Sequence, residues 1–140
     1  MTPKDLGFNI SEMEWRVVSE QPTGRELDIL KVLWQHGPCS VREVHRHLDE
    51  PDLAYNTVQT LLRIMEVDKG LVEHHVEGRA FIYTPRYSRE DSATRFLDRV
   101  FDGAASQMVL SLLRAERIPP EELERMQAMI DEARHRKAKR

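Results

Sequence analysis

The sequence predicts a mainly α fold with a small β-hairpin: a winged helix-turn-helix domain over residues 23–87, followed by a helical dimerisation arm over residues 88–134. Three observations predict it. Three helical patterns follow one another from Thr23 to Asp68, the hydrophobic period changes from helical to alternating after Gly70, and helical spacing returns after Ser88. Residues 1–22 stand apart as an N-terminal extension, with Trp15 and Val18 expected to pack on the domain, and residues 135–140 as a basic, solvated tail.

The first helix is announced by Thr23 and Glu26, a capping box placed just before Leu27, Leu30, Leu33 and Trp34. It should run from about Gly24 to His36, where Gly37-Pro38 stops it. Ser40 with Glu43 repeats the box, and Val41, Val44 and Leu48 supply one buried stripe for a short second helix. A polar turn of Asp49, Pro51 and Asp52 leads to a third helix from about Ala54 to Asp68, with Gly70 as its stop. Three helices with a short connection between the second and third make a helix-turn-helix pattern.

The third helix carries the segment LAYNTVQTLLR. Val58, Leu61, Leu62 and Met65 follow the spacing of a buried face. Asn56, Gln59 and Arg63 fall together on the opposite side, flanked by Thr60 and Tyr55, and Asn, Gln and Arg side chains can each contact a base edge through two hydrogen bonds. An ordinary amphipathic surface helix would show the same polarity, so the neighbouring segments have to decide. After Gly70, LVEHHV and RAFIYT are two β-rich runs joined across Glu77-Gly78, with Pro85 closing the second. A three-helix unit followed by a hairpin is a winged helix. Its tip can reach a nucleic-acid backbone, which makes Arg79 either a phosphate contact or a solvated turn arginine.

The last third is helical again. Ser88 with Asp91 caps a helix bearing Ala93, Phe96, Leu97, Val100 and Phe101 on one stripe, ended by Asp102-Gly103. A helix from Gln107 to Ala115 follows, with Met108, Val109, Leu112 and Leu113 on one face. Pro119-Pro120 opens the last helix, which carries Leu123, Met126, Met129, Ile130 and Ala133. These helices hold more apolar face than they can bury among themselves, which suits a dimerisation arm; folding back on the winged helix as a monomer would also cover it.

Composition narrows the function. With 40% hydrophobic and 32% charged residues over 140 positions, the chain reads as a globular protein rich in surface charge. No apolar run approaches the roughly 18 residues that span a bilayer, and the first residues lack an apolar signal-peptide core, so a cytoplasmic protein without membrane insertion is expected. The single Cys39 fits a reducing compartment and reads as a small buried hydrophobe. Between Thr23 and Tyr87 eight Lys or Arg face ten Asp or Glu, a balance of -2 that argues mildly against nucleic acid. Local arrangement matters more for steering, and Glu26, Asp28, Glu66 and Asp68 are expected to lie away from the face of Asn56, Gln59 and Arg63.

Taken in order, GRELDILKVLWQHGPCSVREVHRHL, LAYNTVQTLLRIME, KGLVEHHVEGRAFIYTP and RFLDRVFDG resemble the penicillinase-repressor (BlaI/MecI) family of bacterial winged-helix regulators. The resemblance spans about Thr23 to Arg134 and rests on E-L-x-I-L-x-x-L-W, V-R-E-V-H, Y-x-T-V-x-T-x-L and K-G-L-V in that spacing. It implies a homodimer that binds a palindromic operator in double-stranded DNA and represses transcription, often of β-lactam resistance genes or of a membrane-sensor operon. By position, Tyr55, Asn56, Thr57, Gln59 and Thr60 match the family's operator-contacting helix, and Arg79 matches its wing. Arg63 joins them from its place on the same face.

Three departures accompany the resemblance. Some members carry Lys and Arg where this chain has Asn56 and Gln59, so the operator sequence does not transfer. Glu66-Val67-Asp68 makes the end of the third helix one residue longer than usual. Well-known members are inactivated through a sensor metalloprotease by cleavage at an Asn-Phe bond after the wing; the matching pair here is Arg95-Phe96.

Other chemistries find little purchase. His45 and His47 sit two apart on a helix and His74-His75 are adjacent on a strand, so each pair points to different faces, and surface or structural histidines are expected rather than a metal site. There is no phosphate-binding Gly-rich loop and no Ser nucleophile elbow, so neither an enzyme nor a cofactor is expected. The competing reading is a winged-helix protein-interaction module whose acidic balance excludes DNA.

Overall fold

The structure, a computed structural model, describes residues 22–139; the expected packing of Trp15 and Val18 lies outside the described residues. Contacts divide the chain into a unit ending at Ser92 and a unit beginning at Ala93.

The first unit opens with α1 (Gly24–His36). Thr23 and Glu26 form the expected capping box: the Thr23 N–H donates to Glu26 Oε1 at 2.8 Å, and the Glu26 N–H donates to Thr23 Oγ1 at 3.3 Å. The helix ends where Gly37 takes φ +80°, a left-handed value that favours glycine, and its N–H closes on the Leu33 carbonyl at 2.9 Å. A two-residue strand β1 (Cys39–Ser40) follows, then α2 (Val41–Leu48), capped by Ser40 and Glu43 in the same reciprocal way. Next comes α3 (Tyr55–Val67), set inside the expected bounds by one residue at each end.

The hairpin pairs β2 (Val72–Glu77) with β3 (Ala80–Pro85), from Val72 opposite Pro85 to Glu77 opposite Ala80. Its turn places Gly78 at φ +61° with open space around it, so backbone conformation rather than crowding calls for glycine there. The sheet has one strand more than the hairpin: β1 pairs antiparallel with β3, Cys39 opposite Tyr83 and Ser40 opposite Ile82, in the order β1-β3-β2. Two residues between a helix stop and a helix cap are too short to show an alternating pattern, so this strand is invisible to periodicity.

Ile29, Leu30, Leu33, Val44, Val58, Leu62, Met65, Leu71, Val72 and Tyr83 form the core where the helices meet the sheet. In α1 the fully covered positions are Ile29, Leu30 and Leu33, while Leu27 and Trp34 lie at the margin. The Trp34 indole N–H donates to the Tyr87 carbonyl at 2.8 Å, and the N–H groups of Arg86 and Tyr87 both donate to the Leu71 carbonyl, which fastens the chain leaving the wing. Cys39 is buried as expected, and burial pushes its thiol up from its ordinary value, with the nearby Glu43 charge adding to the rise. One acid is also buried: Glu26, 2% exposed, receives Lys69 Nζ at 2.7 Å, tying the start of α1 to the residue beyond the end of α3.

The second unit holds the later part of α4 (Arg89–Phe101), with α5 (Ala105–Arg114) and α6 (Pro120–Ala138). Ser88 and Asp91 cap α4 reciprocally, both bonds at 2.9 Å. Asp102 and Gly103 end it with positive φ values. The last helix continues through Ala138, so His135, Arg136 and Lys137, expected in a solvated tail, lie in its last turn and complement the negative end of the helix dipole. None of the three helices contains a buried residue.

Candidate nucleic-acid interface

The capped helices and the three-stranded sheet hold α3 so that Val58, Leu62 and Met65 point into the core and the other side of the helix faces outward. Tyr55, Asn56, Thr57, Gln59, Thr60 and Arg63 are all exposed. Arg79, in the β2–β3 turn, is exposed as well. The side-chain spacing of α3 thus produces the separation read from the sequence, one stripe packed in the core and one facing outward.

Between α3 and the wing lies an open cleft of about 730 Å³. Tyr55, Gln59 and Arg63 line it from α3, and Arg79 lines it from the wing turn. Asn56, Thr57 and Thr60 remain on the exposed surface of the same helix outside the cleft. Arg42 of α2 and Phe81 of β3, which the sequence reading did not single out, also line it. Arg42 sits on the exposed side of a capped amphipathic helix, a signal that was available; Phe81 reaches the cleft only because its register opposite Val76 turns it toward α3 rather than away.

The first turn of α3 is open at its end: Ala54 occupies the N-cap position and offers no side-chain acceptor. Its free backbone N–H groups and the positive end of the helix dipole suit an anionic oxygen. Tyr55 is steadied from behind by His45, whose ring meets it edge-on at 6.0 Å and whose Nε2 lies 2.6 Å from the Leu53 carbonyl. Together α2, α3 and the wing turn offer two side-chain amides, two hydroxyls, a phenol and three guanidinium groups. Amides and guanidinium groups read base edges, and guanidinium groups and open N–H groups hold phosphates.

One acid departs from its expected place. Glu66 lies in the cleft with Gln59 and Arg63 rather than away from them. It stands three residues after Arg63, one helical turn on, which keeps it on the same side of the helix. Its carboxylate accepts the His74 N–H at 3.0 Å and lies 2.6 and 2.7 Å from His74 Nδ1. Burial raises the Tyr83 phenol above its ordinary value, and the Glu66 charge beside it adds to the rise. The remaining histidines spread over separate places: His36 and His47 stack at 3.8 Å, and His75 pairs with Glu77 on the opposite face of the wing.

A model of the penicillinase repressor family matches residues 22–132. The chain belongs to that family. It is 32% identical over 122 residues to the penicillinase repressor of Bacillus licheniformis, an alignment covering 84% of this chain and 94% of that one. Among solved structures it is similar to the monomeric form of Bacillus licheniformis BlaI in complex with the blaP half-operator, at 36% identity over 51% of this chain and 88% of the other, with a TM-score of 0.42. It is also similar to MepR, a transcription regulator of the Staphylococcus aureus multidrug efflux pump MepA, at 20% identity over 95% and 96% of the two chains, with a TM-score of 0.45.

The family match covers the expected dimerisation residues too. Phe96, Val100, Val109, Leu112, Leu113, Leu123 and Ile130 are exposed, while Leu97, Phe101, Met108 and Met126 are partly covered. The Arg95-Phe96 pair lies inside α4, with Phe96 48% exposed and its ring 6.2 Å from that of Phe101. A peptide bond within a helix is not extended for a protease, so cutting there requires local opening of α4.

Proposed function

We propose that this chain is a homodimeric, DNA-binding transcriptional repressor, with α3 of each subunit in the major groove of a palindromic operator and the wing on the adjacent backbone. The observation that carries the reading is the outward row of Tyr55, Asn56, Gln59, Thr60 and Arg63 on a helix whose other side is core, with Arg79 across the same cleft. Gln59 and Asn56 act as base readers, Arg63 reads or clamps, and Arg42 and Arg79 hold phosphates. Membership of the penicillinase repressor family and the likeness to a penicillinase repressor support this reading.

The dimer forms through α4, α5 and α6, whose exposed apolar side chains would bury against a second copy. Pairing doubles the phosphate contacts of a subunit and offsets the acidic balance of the domain. No described helix is long and apolar enough to cross a membrane, and we place the protein in the cytoplasm. A membrane sensor metalloprotease is the proposed inducing partner, acting at Arg95-Phe96 once α4 opens.

A gel shift with the duplex upstream of the chain's own gene, run across a salt series, tests the proposal. Binding that weakens linearly in log–log form as salt rises is the expected result. No binding at low salt would replace the repressor with a winged-helix protein-interaction module.

A further inference from the structure

The cleft between α3 and the wing is lined by cations on both sides, yet it also displays an aromatic ring. Phe81 of β3 is 48% exposed and lines the cleft with Arg79, whereas its cross-strand partner Val76 is exposed outside the cleft. A singly exposed apolar side chain needs no partner. Phe81 differs because its ring is held in place. It lies flat on the His74 imidazole at 4.1 Å and 13°. His74 is in turn fastened to α3: the Glu66 carboxylate accepts its backbone N–H at 3.0 Å and lies 2.6 and 2.7 Å from its Nδ1. One face of the Phe81 ring is therefore covered by protein, and the rest is presented at a fixed height over the cleft.

The surroundings of the ring point to its occupant. With α3 in the major groove and the wing on the adjacent backbone, what passes between them is the sugar–phosphate strand that walls the groove. Arg42 from α2, Arg63 from α3 and Arg79 from the wing turn all line this passage, a charge complement to phosphates. A strand is not charged along its whole length, however. Between successive phosphates it presents the C–H faces of deoxyribose, which gain nothing from a guanidinium group. Phe81 supplies purely apolar surface among these cations, where such a face can pack.

We propose that the cleft holds one sugar–phosphate strand of the DNA, with the three guanidinium groups on its phosphates and the Phe81 ring packed on a deoxyribose between them. His74, fixed by Glu66, is the positioning residue that sets the ring. The proposal deepens the DNA-binding reading above and rests on it. A sugar contact is blind to sequence and releases no counterions, so it adds affinity without adding salt dependence. Covering a half-exposed ring is worth about half of a full burial, about a five- to tenfold gain in affinity.

The test uses the full chain and a duplex that it selects from a random-sequence pool, with dissociation constants measured by fluorescence anisotropy across a salt series. Phe81→Ser should bind about five- to tenfold more weakly at every salt concentration, with the parent's salt slope. Phe81→Leu, which keeps apolar surface, should stay within about twofold of the parent. Val76→Ser, outside the cleft, should bind like the parent. In the parent complex, nuclear Overhauser effects from the Phe81 ring protons should reach deoxyribose protons, and they decide alone if urea unfolding shows Phe81→Ser to be poorly folded. A Phe81→Ser variant that binds like the parent, or whose salt slope falls as for a lost phosphate contact, would overturn the proposal while leaving DNA binding intact. So would Phe81→Leu or Val76→Ser as weak as Phe81→Ser, or Overhauser contacts to base protons alone or to no DNA proton. Failure to select or bind any duplex at low salt would instead remove the DNA-binding reading, and this inference with it.

Discussion

Replacing Lys69 with Met tests how α3 is held in place. Lys69 Nζ lies 2.7 Å from Glu26 Oε1, and Glu26 is 2% exposed, so the substitution leaves a buried carboxylate without its cation. Breaking such a pair from one side costs about 3–5 kcal/mol. Here Oε1 still accepts the Thr23 N–H, and the carboxylate stays beside the positive end of the α1 dipole, which should bring the loss down to about 2–3 kcal/mol. Burial alone would raise the Glu26 carboxyl, but the bonds from Lys69 and Thr23 and the Lys69 charge together hold it below its ordinary value. A depressed carboxyl stabilises the fold fully above its unfolded value and loses that contribution as pH falls through its lower folded value. With Lys69 gone, only the Thr23 bonds still oppose the burial effect, and protonating Glu26 relieves the variant. Urea unfolding followed by circular dichroism should therefore show a deficit of about 2–3 kcal/mol at pH 7 that narrows toward pH 4, and Glu26→Gln added to Lys69→Met should recover most of it. A deficit below about 0.5 kcal/mol, or one unchanged between pH 7 and pH 4, would refute the reasoning.

Gln59→Ala should cost about 1–3 kcal/mol at one or two operator positions while leaving binding to other sequences alone, as a mutated-duplex series would reveal. Arg79→Ala should weaken all duplexes alike and lower the steepness of the salt dependence by about one. In the core, Leu62→Ala removes a side chain with no exposure and should destabilise the winged-helix unit by about 2–5 kcal/mol in the same urea assay. Val100→Glu combined with Leu112→Glu places charges on two exposed apolar positions of the helical arm; sedimentation equilibrium should show the parent as a dimer and the variant as a monomer.

Local signals carried most of the fold. The Thr23-Glu26, Ser40-Glu43 and Ser88-Asp91 boxes are each closed in space as their spacing suggests, because a capping box is decided within four residues. The exposed row on α3 was legible for the same reason, since one helical period places Asn56, Gln59 and Arg63 opposite Val58, Leu62 and Met65. What escaped depends on partners distant in sequence. The β1 strand exists only through Tyr83 and Ile82, and Glu66, set on the cleft side by its own helical position, meets its partner only when the wing brings His74 beside it. Arg42 joins the cleft only once α2, α3 and the wing are brought together. Residues 135–138 of the expected tail are helical because Pro120 starts a helix that meets no Gly or Pro before its end.

DNA is expected to meet the outer side of α3 and the wing turn. Titrating the isotopically labelled chain with a duplex that it selects, and following backbone amide resonances, measures this residue by residue. Shifts should gather over Tyr55 to Arg63 and around Arg79, with further change at Arg42 and His74. Shifts confined to α4, α5 and α6, with Asn56, Gln59 and Arg79 unmoved at saturation, would contradict it.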